Sequence, residues 1–338
     1  LWSVPLSLEP FELGQPRRIL EDAAEVSASR DGTIVHVRRP GQGDSQMVWF
    51  DLDGQLTPFG NPHEKLVAPR LSPDGQTILY TQPDGGKLDV WMYDLERDFS
   101  SKRLQRAGSY GMGSFMPDGR IVVLMVNELG EGTFAYPASG QGEPEKVSDE
   151  TLLITAPPHP RYRFYFDVEM SFVRGVRYED LDHPEAGVRT LFDDESTLSD
   201  LHGSGEWMLY TSEATGDRQL HLAPFPPDPN RDWTVATLGR TDWSIGGPGG
   251  SSWFDEERDR VLFLNEGPDS IPDAGRWIWS VSFTHDRDIQ LGRPEPLLAL
   301  PKGLTISDFD AENLRFLGTA NEQPTRIEVR LLRGWQED

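Results

Sequence analysis

The stretch Leu71-Ser72-Pro73-Asp74-Gly75-Gln76-Thr77-Ile78-Leu79-Tyr80, followed by Asp89-Val90-Trp91-Met92-Tyr93-Asp94, decides how the rest of the chain is read. Pro73 presets φ at the second turn position, Asp74 suits the third, and Gly75 accepts a left-handed backbone at the fourth. The chain therefore reverses on entering the β-rich run Ile78-Leu79-Tyr80. The same element returns as ASRDGTIVHV from Ala28, FMPDGRIVVL from Phe115 and LHGSGEWMLY from Leu201.

A second recurring element lies downstream of the first. MVWFDLDGQLTPF from Met47 and DVWMYDLERDFSSKRL from Asp89 each read as strand, Asp-containing turn, strand. LWSVPLSLEPFELGQPRRIL at the start and IWSVSFTHDRDIQLGRPEPLLAL from Ile278 share that shape. Joined, the two elements make a four-stranded antiparallel unit recurring every ~40 to 55 residues, which is the blade of a β-propeller. Complete units run from Ala24 to Phe59, Val67 to Gln105, Gly111 to Val147, Leu152 to Phe192, Leu198 to Leu238 and Gly249 to Leu300. The remainder, Ile306 to Leu332, lacks a fourth strand, and the N-terminal segment ending near Leu20 lacks inner partners. Uniting them removes two exposed edges, so the expectation is an all-β, seven-bladed ring closed by the N- and C-terminal strands. Six blades is the alternative. The whole chain, 1–338, reads as one propeller domain, and truncating Leu1 to Leu20 is expected to open it.

Composition agrees with a globular β protein and narrows the partners. Apolar residues make up 36% of the chain and ten tryptophans are available for a core. With 56 acidic against 32 basic side chains, nucleic acid and anionic membranes are repelled at long range. No apolar run approaches the ~18 residues of a spanning helix, so direct membrane insertion is not expected. The chain opens on Leu rather than Met, which reads as a processed product or a piece of a longer polypeptide. The absence of cysteine excludes disulfides and thiolate metal sites and leaves the compartment open.

LSPDGQTILY with DVWMYDLERD resembles the repeat of TolB-like propellers. EWMLYTSEATGDRQLHLAPFPPDPNRDWTVATLG, from Glu206 to Gly239, is similar to a blade of the propeller regions attached to bacterial serine/threonine kinases, as are the opening segment and PTRIEVRLLRGW. The fourth and sixth units depart from the pattern, with Pro158-His159-Pro160-Arg161 and Asp255-Glu256-Glu257-Arg258 at the turn. The resemblance implies an extracytoplasmic sensor or interaction module, binding a protein, peptide or glycan at its rim or central channel, and a monomer is expected. TolB-like propellers also occur as polysaccharide lyases, and a structural repeat in an extracellular assembly is a third reading.

Motifs for catalysis fail on inspection. His63-Glu64-Lys65-Leu66-Val67 lacks the second histidine of a zinc-protease helix, and Gly247 to Ser252 is not a nucleophile elbow. Asp51-Leu52-Asp53-Gly54 begins like a calcium loop but has no bidentate Glu, so it reads as a hairpin turn. The seven histidines show no metal-ligand spacing. No kinase signature is present, and no catalytic residue, metal or cofactor is expected. Trp49, Trp91, Trp207, Trp253, Trp277 and Trp279 fall in strands and read as core. Strand direction puts the Ser-Pro-Asp-Gly turns on one face and the variable connections between blades on the other, the top. Variable loops on a rigid scaffold carry recognition, so the candidate ligand-binding residues are His63, Glu64, Tyr110, Arg174, Glu195, Asp242 and Trp243.

Overall fold

In the strand Thr77–Asp84, Ile78 and Tyr80 point to one side and Leu79 to the other, and all three are buried. Such a strand needs apolar cover on both faces, which a radial stack of sheets supplies. The computed structural model shows that arrangement. It describes residues 2–3, 6–8, 11–13, 17–18, 23–28, 34–38, 45–63, 66–84, 87–102, 113–116, 118–127, 130–137, 143–148, 152–153, 159–169, 172–194, 196–228, 230–239, 252–268, 270–271, 275–284, 289–321 and 328–332.

The chain divides into two compact units, 45–320 and the two ends, 1–44 with 321–338. Among the described residues the larger unit holds six antiparallel blades. From inside outward, blade one is Val67–Leu71, Thr77–Asp84, Lys87–Asp94 and Phe99–Lys102. Blade two is Gly113–Phe115, Ile121–Asn127, Gly130–Tyr136 and Glu145–Ser148. Blade three is Leu152–Leu153, Tyr162–Glu169, Phe172–Asp180 and Arg189–Phe192. Blade four is Thr197–Leu201, Trp207–Ser212, Gln219–Pro224 and Trp233–Thr237. Blade five has Ser252–Asp255, Arg260–Glu266 and Arg276–Thr284, with an outer layer split into Gln290–Leu291 and Glu295–Ala299. The split falls at Gly292-Arg293-Pro294, where proline has no N–H to give the ladder.

Blade six corrects the expected closure. Its inner strands, Leu304–Asp310 and Arg315–Asn321, come from late in the chain, and its outer strands, Ser45–Asp51 and Leu56–His63, from early in it. The ring therefore has six blades rather than seven, and the strand ending near Leu20 does not close it: Arg17–Arg18 pairs with Trp2–Ser3. Packing gives the reason. Val48 and Phe50 share a cluster with Trp253, Leu262, Ile306 and Phe316, while Met47 and Trp49 share another with Ile78, Tyr80 and Leu317. One outer strand thus fills the seams on both sides of its blade, and the Arg315 guanidinium lies 3.7 Å from the centre of the Trp49 ring.

Each of the six seams has its own apolar cluster, from blades one and two around Phe115 and Phe134 to blades six and one around Trp49 and Tyr80. Of the tryptophans read as core, Trp49, Trp207 and Trp253 are buried, and Trp91, Trp277 and Trp279 are half-buried. In the unit of the two ends, Glu328–Leu332 pairs with Ile34–Arg38, which pairs with Ala23–Ala28, and Leu6–Leu8 pairs with Phe11–Leu13.

Candidate functional site

The turns below the inner strands follow the Ser72 pattern wherever its residues allow. Gly75 N–H donates to the Ser72 carbonyl at 2.9 Å with φ +68°, and the Asp74 carboxylate accepts from Ser72 Oγ and Gln76 N. Of the two departing turns, the first begins at Pro158, outside the described residues, and that at Asp255 to Arg258 forms a hairpin by other means. In blade five the left-handed position is taken by Asp259, a residue type that tolerates it, and buried Asp255 accepts from Arg260 Nε at 2.7 Å. Blade six repeats this with Leu314 at φ 52° and Arg315 Nε donating to Asp310 at 2.9 Å.

Two bulges then place charge at the ring's inner strands. Register slips between Leu198 and Asp200 and again between Ile306 and Asp308. A bulge re-aims the side chain that follows it. Asp200 accepts from its neighbour Leu201 N at 2.9 Å and, across the seam, from Phe254 N of blade five at 2.8 Å. Asp308 does the same with Phe309 N and with Leu71 N of blade one, both at 2.9 Å. Their electrostatics differ. Burial pushes the Asp200 carboxyl up to about 7, against the two amide bonds, with Asp308 and Glu256 adding repulsion. Asp308 is also raised by burial, but the buried Arg70 guanidinium opposes that shift, and Arg70 itself donates to the Ser307 carbonyl. Burial lowers Arg70, against the pull of Asp308. Asp200 can therefore change charge near neutrality.

The lower turns of blades three, four and five are joined to one another. His159 Nε2 lies 3.2 Å from the Gly203 carbonyl, and Gly203 N donates to Glu256 Oε1 at 2.5 Å. His202 Nδ1 lies 3.0 Å from Ser204 Oγ and its Nε2 3.9 Å from Glu256. The order Ser, His, Glu resembles a nucleophile relay, yet Ser204 N donates to the same Nδ1 at 3.2 Å and Ser204 Oγ accepts from Glu206 N at 3.2 Å. These bonds cap a tight turn. On the side of blade four that meets blade three, where Tyr210 packs on Phe192, Asp232 accepts from Tyr210 Oη at 2.9 Å and lies 3.1 Å from His221 Nδ1, with Tyr210 stacked on the imidazole. Burial and Asp232 raise the Tyr210 hydroxyl, so it serves as a donor. Among the described residues no group of three His, Cys, Asp or Glu is placed to hold a metal.

The seven residues expected at the top rim are placed only in part. His63 ends the strand Leu56–His63, and Arg174 lies in Phe172–Asp180 beside the register slip at Val168; the side chains of both are outside the described residues. Glu64, Tyr110, Glu195, Asp242 and Trp243 lie outside the described residues altogether. The Asp51 turn forms as read, with Asp51 Oδ1 accepting from Asp53 N and Gln55 N. Sequence reasoning missed Asp200, Asp308 and the Asp255 and Asp310 pairs. The signals were Ser-Asp-Leu and Ser-Asp-Phe before a turn, and Asp with Arg five residues on.

No family profile matches the chain. It is 31% identical over 123 residues to the Tol-Pal system protein TolB of Anaeromyxobacter dehalogenans strain 2CP-C, a match covering 35% of this chain and 27% of that relative. The TolB structure from Agrobacterium tumefaciens superposes at a TM-score of 0.53 and 16% identity, over 84% of this chain and 100% of that one. The fold is that of a TolB-like β-propeller. The TolB structure from Acinetobacter baumannii aligns with this TolB-like propeller over 90% of its length and 80% of its own, at a TM-score of 0.48 and 11% identity. The chain spans about a quarter of the length of the curated relatives it matches, 27%.

Proposed function

We propose that this TolB-like propeller is a non-enzymatic binding module that engages a protein, or a peptide or glycan, at the face carrying the connections between blades. The observation that supports the reading is how the described polar groups of the other face and the inner strands are used. Asp200, Asp308, His159, Glu256 and the Asp74 turn are each committed to bonds within or between blades. Chemistry spent on holding the ring is not available for turnover, whereas a rigid ring is what recognition loops need. The relative named for the Tol-Pal system points the same way, toward a component of a protein assembly. A monomer, an extracytoplasmic location and a place in a larger receptor or kinase polypeptide accompany this proposal.

Photo-crosslinking tests it. A photoreactive residue at Trp243 or Tyr110 is expected to capture a partner from extracytoplasmic extract, competed by unmodified chain. The same residue at Asp74 or Asp118 captures nothing competed. Competed capture only from Asp74 and Asp118 would move the site to the opposite face, and purified chain turning over a polysaccharide would replace the binding reading with an enzymatic one.

A further inference from the structure

His159 is 6% exposed and stacks on Tyr162 with ring centres 5.2 Å apart. Both ring nitrogens face backbone groups of opposite kind. Arg161 N–H lies 3.2 Å from Nδ1, which must therefore accept, and the Gly203 carbonyl lies 3.2 Å from Nε2, which must therefore donate. Those partners fix the neutral Nε2–H tautomer. A proton added to Nδ1 would point at the Arg161 N–H, two donors facing one another across a contact meant for one bond.

The loop that His159 holds leaves little slack. A Cβ on Gly205 would sit 3.1 Å from His159 Cε1 and from Tyr162 Cε2, and one on Gly203 would sit 2.8 Å from Glu256 Oε1. The blade-four turn is thus wedged between His159 of blade three and Glu256 of blade five. We propose that His159 is an acid-weakened latch: its neutral ring accepts from Arg161 N–H and so seats itself in the blade-three turn, where Nε2 donates to Gly203 of the blade-four turn, and protonation on Nδ1 breaks the Arg161 bond that seats the ring while the donor bond to Gly203 remains.

Charged neighbours from each packed element bear on the proton. From its own turn, the Arg161 guanidinium disfavours a second cation, although it is paired with Asp180 at 2.8 and 3.0 Å and lies 3.5 Å from Asp182. From the blade-four turn comes His202, and from blade five Glu256, whose carboxylate favours the charged ring. Burial, the largest influence, outweighs the bond to Gly203 and the Glu256 carboxylate, both of which favour the charged ring, and holds His159 below the usual histidine range. The unfolded ring protonates first as pH falls, so the latch's contribution is fully present above about 6.5 and is lost progressively below it.

Ring-labelled histidine NMR on the full chain, with His159→Gln used to assign the signal, tests the latch. The expected result is an Nε2–H ring at pH 7.5, a midpoint below that of free histidine, and loss of Arg161 amide protection as the ring charges. Glutamine can donate to Gly203 and accept from Arg161 without titrating. The unfolding constant of wild type relative to His159→Gln is then expected to rise by up to tenfold per pH unit below about 6.5. An Nδ1–H tautomer, a midpoint at or above 6.5, or Arg161 protection unchanged when the ring is charged would overturn the proposal. These NMR readouts are made on the wild-type chain and stand even where the variant folds poorly.

Discussion

Asp200 and Asp308 occupy the same place in two repeats and accept the same pair of amide bonds, yet among the described residues only Asp308 has a guanidinium beside it. Without one, Asp200 is pushed up to about 7 by burial. A carboxyl raised above its unfolded value near 3.9 stabilises the fold most at pH below that value, and the contribution is lost as pH rises through about 7. Asp200→Asn removes the titration and leaves one acceptor for two amides, at a cost of about 1 to 3 kcal/mol for the orphaned N–H. The variant's deficit in urea unfolding is therefore expected to be larger at pH 5 than at pH 8. An equal deficit at both pH values would mean that Asp200 titrates in its ordinary range. Ser199-Asp200-Leu201 before a turn marks the position but not the bond across the seam, because alternation assigns a face to each residue and a bulge breaks alternation.

Among the elements, the turns show what the sequence reveals and what it conceals. Ser72 to Gly75 and Met116 to Gly119 were legible because proline and glycine act through the local backbone. The blade-five and blade-six turns were not, since their stability comes from an aspartate reaching an arginine on the next strand. Asp255 is fully buried and binds Arg260, whose side chain is 16% exposed. Asp255→Ala strands a mostly buried guanidinium and is expected to cost about 3 kcal/mol or more. Replacing both partners, Asp255→Ala with Arg260→Met, should recover much of that loss, because no uncompensated charge remains. Strict additivity of the two single variants in chemical denaturation would show that the pair is not coupled and that the turn is held by its backbone alone. The candidate rim residues were legible only as positions in variable loops; recognition loops carry no repeat pattern from which a side-chain arrangement could be argued.

At the scale of the whole molecule, the blade was legible and its partner at closure was not. Met47 to Phe59 has the alternation of any outer strand pair, so it suits the inner pair that precedes it in sequence as well as the one that arrives late in the chain. The choice is made by side chains far apart in sequence: Val48 and Phe50 with Phe316, Met47 and Trp49 with Leu317, and Arg315 over Trp49. This arrangement reverses the expected effect of truncation. Trp2–Ser3 pairs with Arg17–Arg18 and Leu6–Leu8 with Phe11–Leu13, so removing residues 1–20 takes strands that pair among themselves and none from the six blades. The main cooperative melting transition is expected to survive that deletion. Phe316→Ala, by contrast, empties a fully buried site at the closing seam and should cost about 3 to 5 kcal/mol. Scanning calorimetry separates the two outcomes. Loss of the main transition on deleting 1–20, with little change in Phe316→Ala, would return ring closure to the N-terminal strand, because a seam that tolerates a cavity of that size cannot be what holds the ring shut.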